Sequence, residues 1–351
     1  MKNFLKKKTR FLAIALSLTL LLSGGIAALA LTDQPVSVPA LLSNVSLNLY
    51  GGNVSSNIYG GNVSVNIYGH TEIEALPAPT ADADAATSVV ASAATALEAA
   101  TGMTMRTVGA PIVVSVERPN TVAVLSVPAG FNTSTVTTMA VLNTDSTLTP
   151  IPTRVDASGN LVVLVSGSAV LVPLSVEANF RDIDFGPQFA NVTSEINLAA
   201  SMMIIQGRGQ AMFAPSAHVT GQDAATMFLR AMGVPVQWET AIATAVEVGI
   251  TDGSIVAASP LSRISTAVMI HNALETLGVA VEMTPAQVNA TLANFTDLDG
   301  LTNAQRLAMA VCIELGIFRG AGDGLMNPNQ SLQRSAVASL SVRLQDVFLG
   351  M

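Results

Sequence analysis

Hydrophobic and polar residues alternate regularly between residues 44 and 70. The segment Asn44-Val-Ser-Leu-Asn-Leu-Tyr-Gly-Gly52 recurs from Asn53 and again from Asn62. In each copy, aliphatic residues fall on one parity and Ser, Asn and Tyr on the other, which is the period of a β-strand. The pattern predicts nine-residue β repeats within 31–76. The Gly-Gly-Asn turns favour hairpins, although a few coils of a β-solenoid satisfy the same spacing.

The next two zones differ in pattern. Residues 77–105 begin rich in proline and alanine, and Ala85 to Ala100 predicts a helix with a small apolar face, as in a linker or stalk. Residues 106–178 contain β-branched runs, among them IVVSVE, TVAVLSVP and LVVLVSG, which alternate with turn sequences. Regular short strands with turn signals predict a small β-sandwich-like domain.

From residue 179 onward the apolar period becomes that of amphipathic helices, and a motif repeats. Phe180-Arg-Asp-Ile-Asp184 recurs as Phe295-Thr-Asp-Leu-Asp299. Each is followed by a helix, a glycine-rich turn, a Phe-Ala-Pro or Met-Asn-Pro segment and a second helix. A shorter copy lies between them, with Gly249-Ile-Thr-Asp-Gly253 as its turn. The sequence therefore predicts an α+β multidomain protein that ends in three all-helical modules, at 179–233, 234–290 and 291–351.

The first 30 residues carry a targeting pattern. Five basic residues precede an apolar run from Phe11 to Leu22, and Ala28-Leu29-Ala30 is a small-x-small cleavage site, so 1–30 is predicted to be a signal peptide. An uncleaved N-terminal anchor is the alternative. Removing the five cations from the net charge of −8 leaves about −13, which argues against nucleic acid as a partner. No segment after the predicted signal peptide has the run of about 20 apolar residues that a membrane span needs. We therefore expect no membrane partner once the signal peptide is cleaved.

Residues that carry chemistry are sparse. Cys312, the only cysteine of the chain, lies on an apolar helix face, which predicts a buried thiol and no internal disulfide. The three histidines are scattered without metal-ligand spacing. The pairs Asp182/Asp184 and Asp297/Asp299 fit turn or capping roles better than calcium binding. No catalytic constellation is visible, so we expect no enzymatic activity, cofactor or metal.

The order of these motifs resembles the S-layer homology (SLH) modules of bacterial cell-surface proteins. That family has Phe-x-Asp, a Trp-led helix, Gly-Ile-x-x-Gly, a glycine turn, Phe-x-Pro and then Ile-Thr-Arg-Ala-Glu at the start of a second helix. The stretch from Gly316 to Val337 follows this order closely, and three copies in tandem would cover half the chain. The resemblance implies attachment to the cell wall through a secondary polysaccharide that bears pyruvate ketals.

The resemblance carries over unevenly between the copies. Arg334 and Arg263 match the signature arginine, whereas Gly221 stands at that position in the first copy. The acidic residue two places later is kept only as Asp223, and Trp238, the only tryptophan, lies one position from its expected place. These departures leave open how many of the copies bind ligand.

The local chemistry of the best copy points to an anionic ligand. A long glycine turn lets backbone amides approach a ligand closely, and an arginine at a helix start lies beside free N–H groups that also favour an anion. A solvated helix-start arginine is the plain alternative. The candidate ligand-binding residues are Arg263, Arg334, Trp238, Gly320, Gly322 and Gly324.

One expectation and one rival follow. The expectation is an exported, non-enzymatic protein of the S-layer or cell surface, anchored non-covalently to an anionic wall polysaccharide. The rival is a structural or adhesive assembly protein whose degenerate modules pack helices without binding polysaccharide. In the rival, the Tyr/Asn repeats mediate self-association, because regularly spaced tyrosines and asparagines stack well.

Overall fold

The fold is that of a computed structural model. It describes residues 19–22, 25–28, 46–50, 56–59, 64–68, 73–76 and 83–351, except 115, 117–119, 127–131, 185–189 and 280. Most of the predicted signal peptide and the Gly-Gly-Asn turns of the repeats lie outside these residues, so the structure does not bear on them.

Short strands form where the nine-residue repeats alternate, but they do not pair as hairpins. The N-terminal strands are β1 (Thr19–Leu22), β2 (Gly25–Ala28), β3 (Ser46–Tyr50), β4 (Ser56–Tyr59), β5 (Ser64–Tyr68) and β6 (Ile73–Leu76). β3 pairs in parallel with β5, with Ser46 opposite Ser64 and Tyr50 opposite Tyr68, and β4 pairs in parallel with β6. The hairpin prediction is therefore wrong for these strands. In β3 and β5 the in-register parallel pairing instead places equivalent residues of two repeats side by side, so that Ser, Asn and Tyr each face an identical residue.

An alanine-rich helix, α1 (Ala83–Thr101), follows the repeats. Its small face buries Val90, Ala93 and Ala94. That face packs against two strands of the β domain, β7 (Thr104–Thr107) and β11 (Leu148–Ile151). The helix predicted as a linker or stalk thus packs on the β domain along its small face.

Two sheets form the β domain. Its other strands are β8 (Ile112–Val114), β9 (Thr121–Ser126), β10 (Thr138–Leu142), β12 (Thr153–Val155), β13 (Leu161–Val165) and β14 (Ala169–Glu177). One sheet has the order β11-β10-β14-β7, with β8 also on β14, and the other has the order β12-β13-β9-β3-β5. The chain passes from the first sheet to the second at Pro152, between β11 and β12. Since β3 pairs with β9, the first repeat extends a sheet of this domain.

Helices make up the rest of the chain. They are α2 (Ala190–Ser201), α3 (Gly221–Ala231), α4 (Ala241–Val248), α5 (Arg263–Thr276), α6 (Pro285–Leu292), α7 (Asn303–Glu314) and α8 (Arg334–Leu349). Side-chain caps fix several of the starts, because Thr220, Ser262, Thr284 and Thr302 each accept from the backbone N–H three residues ahead. The helix pairs α2/α3, α4/α5 and α7/α8 correspond to the three sequence copies.

The copies exchange helices in a closed cycle. The first helix of each copy packs against the second helix of another: α2 against α8, α4 against α3, and α7 against α5. At the centre, the segments that precede the second helices form a ring of backbone hydrogen bonds. Val219 N–H donates to Leu332 O (2.9 Å), Leu332 N–H to Leu261 O (3.0 Å), and Leu261 N–H to Val219 O (2.9 Å). The three copies therefore form one body with approximate threefold symmetry.

The β domain packs on this ring through several helices: α2 contacts β14, α3 contacts β11, and α8 contacts β12 and β13. The Arg154 guanidinium pairs with Asp346 at 2.7 Å, and Gln345 donates to Thr153 O at 3.2 Å. Gly233 approaches Pro152 so closely that a Cβ would lie 2.6 Å from its ring. The last helix thus contacts both the β domain and the first copy.

Candidate functional site

The cyclic exchange decides which turn each helix-start arginine contacts. Arg334, at the start of α8, reaches the turn of the first copy. Its Nε donates to Phe213 O at 2.9 Å and its Nη2 to Gln206 O at 3.2 Å. Its guanidinium carbon lies 4.8 Å from the centre of the Phe213 ring, a cation–π contact. The glycine turn that precedes Arg334 in the sequence is therefore not the turn on which this arginine lies.

Arg334 is also a buried residue, with 3% of its surface exposed. The sequence had suggested an exposed helix start, and the reason for the difference is the exchange, which covers the arginine with the first copy. Its Nη1 lies 3.3 Å from Asp223 Oδ1. Burial lowers the pKa of Arg334 to about 10, which still leaves the guanidinium protonated at neutral pH.

Asp223 contacts three other side chains of this site. It closes the capping box of α3 with Thr220, and its side chain is only 8% exposed. It pairs with Arg208 at 2.6 Å as well as with Arg334, and it accepts from the Trp238 indole N–H at 3.2 Å. Burial opposes its ionisation, but the attraction of Arg334 and Arg208 outweighs that effect and holds its pKa below the usual value. The carboxylate therefore takes up one bond of each arginine.

A cleft of about 510 Å³ opens beside Asp223. The first-copy turn forms one wall and α3 the other, and Trp238, which is 51% exposed, stands at the rim. The Gln222 side-chain amide donates to the backbone carbonyl of Trp238 and so fixes the rim to α3. The lining residues are Ile204, Ile205, Gln206, Gly207, Arg208, Asp223, Thr226, Met227, Arg230, Trp238 and Arg334. Two of the predicted site residues, Arg334 and Trp238, thus meet in one cleft.

Arg263 lies at a second, equivalent position. Its Nε donates to Met326 O at 2.7 Å and its Nη2 to Arg319 O at 2.8 Å, and its guanidinium stands 5.1 Å from the centre of the Phe318 ring. Ala336 occupies the place that Asp223 has in the first copy, so α8 offers Arg263 no carboxylate at that position, and the acidic group whose attraction acts on Arg263 is Asp297. The structure therefore separates Arg263 from Arg334 and Trp238.

The glycines of the third-copy turn have conformational roles in the structure, and they lie on the Arg263 side. A Cβ on Gly320 would meet the Phe295 ring at 2.8 Å. Gly322 (φ +103°) and Gly324 (φ +71°) have left-handed backbones that favour glycine. Their turn is closed by Leu325 N–H, which donates to Gly322 O at 2.9 Å.

The presence of Gly221, in place of the signature arginine, at the start of α3 has a steric explanation. Gly221 does not have a positive φ, but a Cβ there would lie 2.5 Å from Ile255 and 2.6 Å from the carbonyl oxygen of Val256. The shorter turn of the second copy fills the space that a helix-start side chain needs. An arginine at 221 is therefore expected to disrupt this contact and not to create a binding site.

The Phe-x-Asp motifs stabilise the turns. Asp182 accepts from the N–H groups of Phe213 and Ala214 at 2.8 and 2.7 Å. Asp297 accepts in the same way from Met326 and Asn327, at 2.8 and 2.6 Å. Each carboxylate thus satisfies two backbone donors of the Phe-Ala-Pro or Met-Asn-Pro segment.

Other predicted features have ordinary surroundings. The Cys312 thiol is fully buried and burial raises its pKa, as expected for an unreactive core thiol. Within the described residues, no cluster of three or more His, Cys, Asp or Glu side chains is arranged to hold a metal ion. In the same part of the chain, no helix has the length and apolar character needed to cross a bilayer.

Comparison with known families bears on this site directly. Residues 180–225 match the S-layer homology domain. The match runs from the first Phe-x-Asp motif through α2 and the cleft turn to the first residues of α3, so it includes the turn wall of the cleft and Asp223. It supports an S-layer homology domain protein and, with it, association with the cell surface through cell-wall polysaccharide. No curated protein matches the chain.

Two cleft residues, Arg208 and Arg230, were missed by the sequence reasoning. Arg208 lies between two glycines in the cleft turn, and its side chain is 43% exposed. Arg230 lies nine residues into α3. The signal that points to them is the helix exchange, because only that arrangement places the turn of one copy beside the tryptophan of the next.

Proposed function

We propose that this chain is an exported bacterial surface protein whose helical ring binds an anionic secondary cell-wall polysaccharide and so anchors it to the wall. Residues 234–290 and 291–351 act as further, diverged S-layer homology modules, and residues 1–30 direct export. The β domain and the Asn/Tyr repeats project away from the wall. The observation that carries the proposal is that the turn and the helix start of the matched segment, 180–225, line a cleft in which three guanidinium groups and an exposed tryptophan come together.

The charges of the cleft support an anionic ligand. Arg208, Arg230 and Arg334 line it, and among its described lining residues Asp223 is the one carboxylate. The whole chain is acidic, with a net charge of −8, so it has no long-range attraction for an anionic polymer. Charges are screened beyond about 8 Å at physiological salt. Affinity therefore depends on the local arginines.

The pyruvate ketal fits this environment. It presents a carboxylate on a rigid sugar ring, and a guanidinium fork matches a carboxylate in bidentate geometry. Trp238 offers an apolar ring face at the rim of the same cleft. We therefore expect a ketal-bearing sugar to place its carboxylate inside the cleft and its ring against the indole.

A second candidate function is supported by the state of the signature arginines. Arg334 and Arg263 donate hydrogen bonds to backbone carbonyls of neighbouring copies. Such bonds are typical of a structural residue that stabilises the packing of one copy on the next. If that is their whole role, the ring is a structural unit of a surface assembly. In that case the N-terminal repeats provide the contacts to other molecules.

Sedimentation with purified cell-wall sacculi separates these functions. We expect the purified chain to co-sediment with sacculi that retain their secondary polysaccharide. Binding should be lost when the polysaccharide is extracted, and it should weaken when mild acid removes the ketals. Equal recovery in the pellet with extracted and intact sacculi would exclude the polysaccharide and favour the structural function.

A further inference from the structure

Arg230 is a half-buried arginine without a partner. Among the described residues, its guanidinium makes no hydrogen bond and no ion pair, although the side chain lines the cleft between α3 and the first-copy turn. Burial lowers its pKa without an opposing attraction from any acidic group. A partly desolvated cation without a counter-charge is unfavourable by itself, so an anion that reaches it is stabilised.

The other two copies show what this position normally does. Arg230 lies nine places after the first residue of α3. The residues at the same position in α5 and α8 are Asn272 and Arg343. Asn272 donates to Ile250 O at 3.2 Å, and Arg343 donates to Ile317 O at 3.2 Å. Both carbonyls belong to the Gly-Ile corner after the first helix of a copy. Arg230 has no such bond to Ile204, the equivalent residue of its own copy.

The missing counter-charge has a sequence cause. Arg343 also pairs with Glu195 of α2 at 2.9 Å. Glu195 lies eight residues before Met203, the left-handed corner residue of its copy (φ +62°). Helix α4 packs on α3 as α2 packs on α8, and the residue eight places before its own corner, Gly249, is Ala241. An alanine thus stands where an acidic partner for Arg230 would be.

The other charges of the cleft are already engaged. Asp223 is bonded to Arg334, Arg208 and the Trp238 indole, and Arg334 is also bonded to two backbone carbonyls. A ligand carboxylate that displaced Arg334 from these bonds would leave buried groups unsatisfied, at a cost of about 1–3 kcal/mol for each. Arg230 accepts a ligand without any such loss.

We propose that Arg230, and not the signature arginine Arg334, binds the anionic group of the ligand, which is a carboxylate carried by a sugar. This inference rests on the proposed function, because it assigns the anion subsite within the same cleft. Arg208, which lines the same cleft and is partly exposed, adds positive charge there while it stays paired with Asp223, and Trp238 flanks the sugar ring.

The test measures binding of the purified chain to sacculi for Arg230→Gln and Arg230→Lys. We expect Arg230→Gln to raise the dissociation constant at least about tenfold and Arg230→Lys to raise it less, because an ammonium group cannot grip a carboxylate bidentately. The melting temperature of Arg230→Gln should be unchanged or higher, since no internal bond is lost. Arg106→Gln, which removes an exposed arginine of β7, is the matched control and should bind like the wild type.

Competition identifies the source of the carboxylate. A methyl hexoside with a 4,6-pyruvate ketal, a methyl glucuronide and inorganic phosphate are added separately to the wild type and to Arg230→Gln. We expect one of the two sugar acids to displace the wild type and to have little effect on the residual binding of the variant. Displacement by phosphate alone would overturn the assignment of a carboxylate.

Normal wall binding by a folded Arg230→Gln variant would overturn the role of Arg230 and leave the proposed function standing. If Arg230→Gln does not fold, Arg230→Lys decides, because it keeps the charge and most of the volume: the proposal predicts that it binds more weakly than the wild type, and unchanged binding would overturn the role of Arg230. Absence of wild-type binding to intact sacculi would remove the proposed function and this inference together.

Discussion

Arg334 shows how a residue can be recognised in a sequence while its surroundings are not. Its identity and its place at the start of a helix follow from the repeat, but its burial follows from contacts with a copy about 120 residues earlier. Pattern and spacing carry no information on that exchange. The same holds for Arg230, whose importance depends on the alanine at position 241 of another helix.

We predict that Arg334→Ala lowers the free energy of unfolding by about 3 kcal/mol. The change removes two hydrogen bonds to carbonyls and leaves Asp223 with one arginine in place of two, and breaking a buried ion pair typically costs that much. Urea unfolding followed by circular dichroism measures the difference, with Arg106→Ala as the control. A change under about 0.5 kcal/mol, as for an exposed residue, would contradict the burial described here.

At the scale of elements, the sequence predicted most of what is local. The helices α2, α4 and α7, the glycine turns and the strands of the β domain lie where periodicity and turn residues indicated. The sequence did not indicate which helices pack on each other or which strands pair. Each copy has equivalent motifs at similar spacing, so a first helix satisfies its apolar face equally well on its own second helix or on another copy's. The Gly-Gly-Asn turns favoured hairpins, whereas the repeats pair in parallel with the next-but-one strand.

The short turn of the second copy packs tightly against the start of α3 at Gly221. We predict that Gly221→Ala lowers the free energy of unfolding by about 1–3 kcal/mol, because its Cβ would press on Ile255 and on the Val256 carbonyl oxygen. Gly221→Arg should be at least as destabilising, and it should not improve wall binding. Thermal unfolding of the two variants measures both effects.

Gly167→Ala is the matched control for that experiment. Gly167 has no heavy atom within 4 Å of a Cβ, and its φ is not positive. The Gly167→Ala variant should therefore unfold close to the wild-type temperature. Equal stability of Gly221→Ala and Gly167→Ala would show that the turn does not press on α3 as the structure has it.

At the scale of the whole molecule, the acidic chain concentrates positive charge in one cleft of a three-copy ring. The ring is closed by backbone bonds, and the cleft is lined by residues from all three copies: the turn and α3 of the first, Trp238 of the second and Arg334 of the third. Burial of Arg334 and the crowding at Gly221 explain why the copies are not equivalent. The cleft beside Trp238 is accordingly the place where we expect the wall polymer to bind.

Fluorescence of Trp238 tests this claim most directly, because the chain has no other tryptophan and the indole stands at the rim of the cleft, bonded to Asp223. Secondary polysaccharide released from sacculi is titrated into the purified chain while the emission spectrum is recorded. The account predicts a saturable change in emission, with the same dissociation constant as sedimentation gives and a weaker one in Arg230→Gln. Binding by sedimentation with no change in the Trp238 emission would contradict it, because the polymer would then lie elsewhere on the molecule.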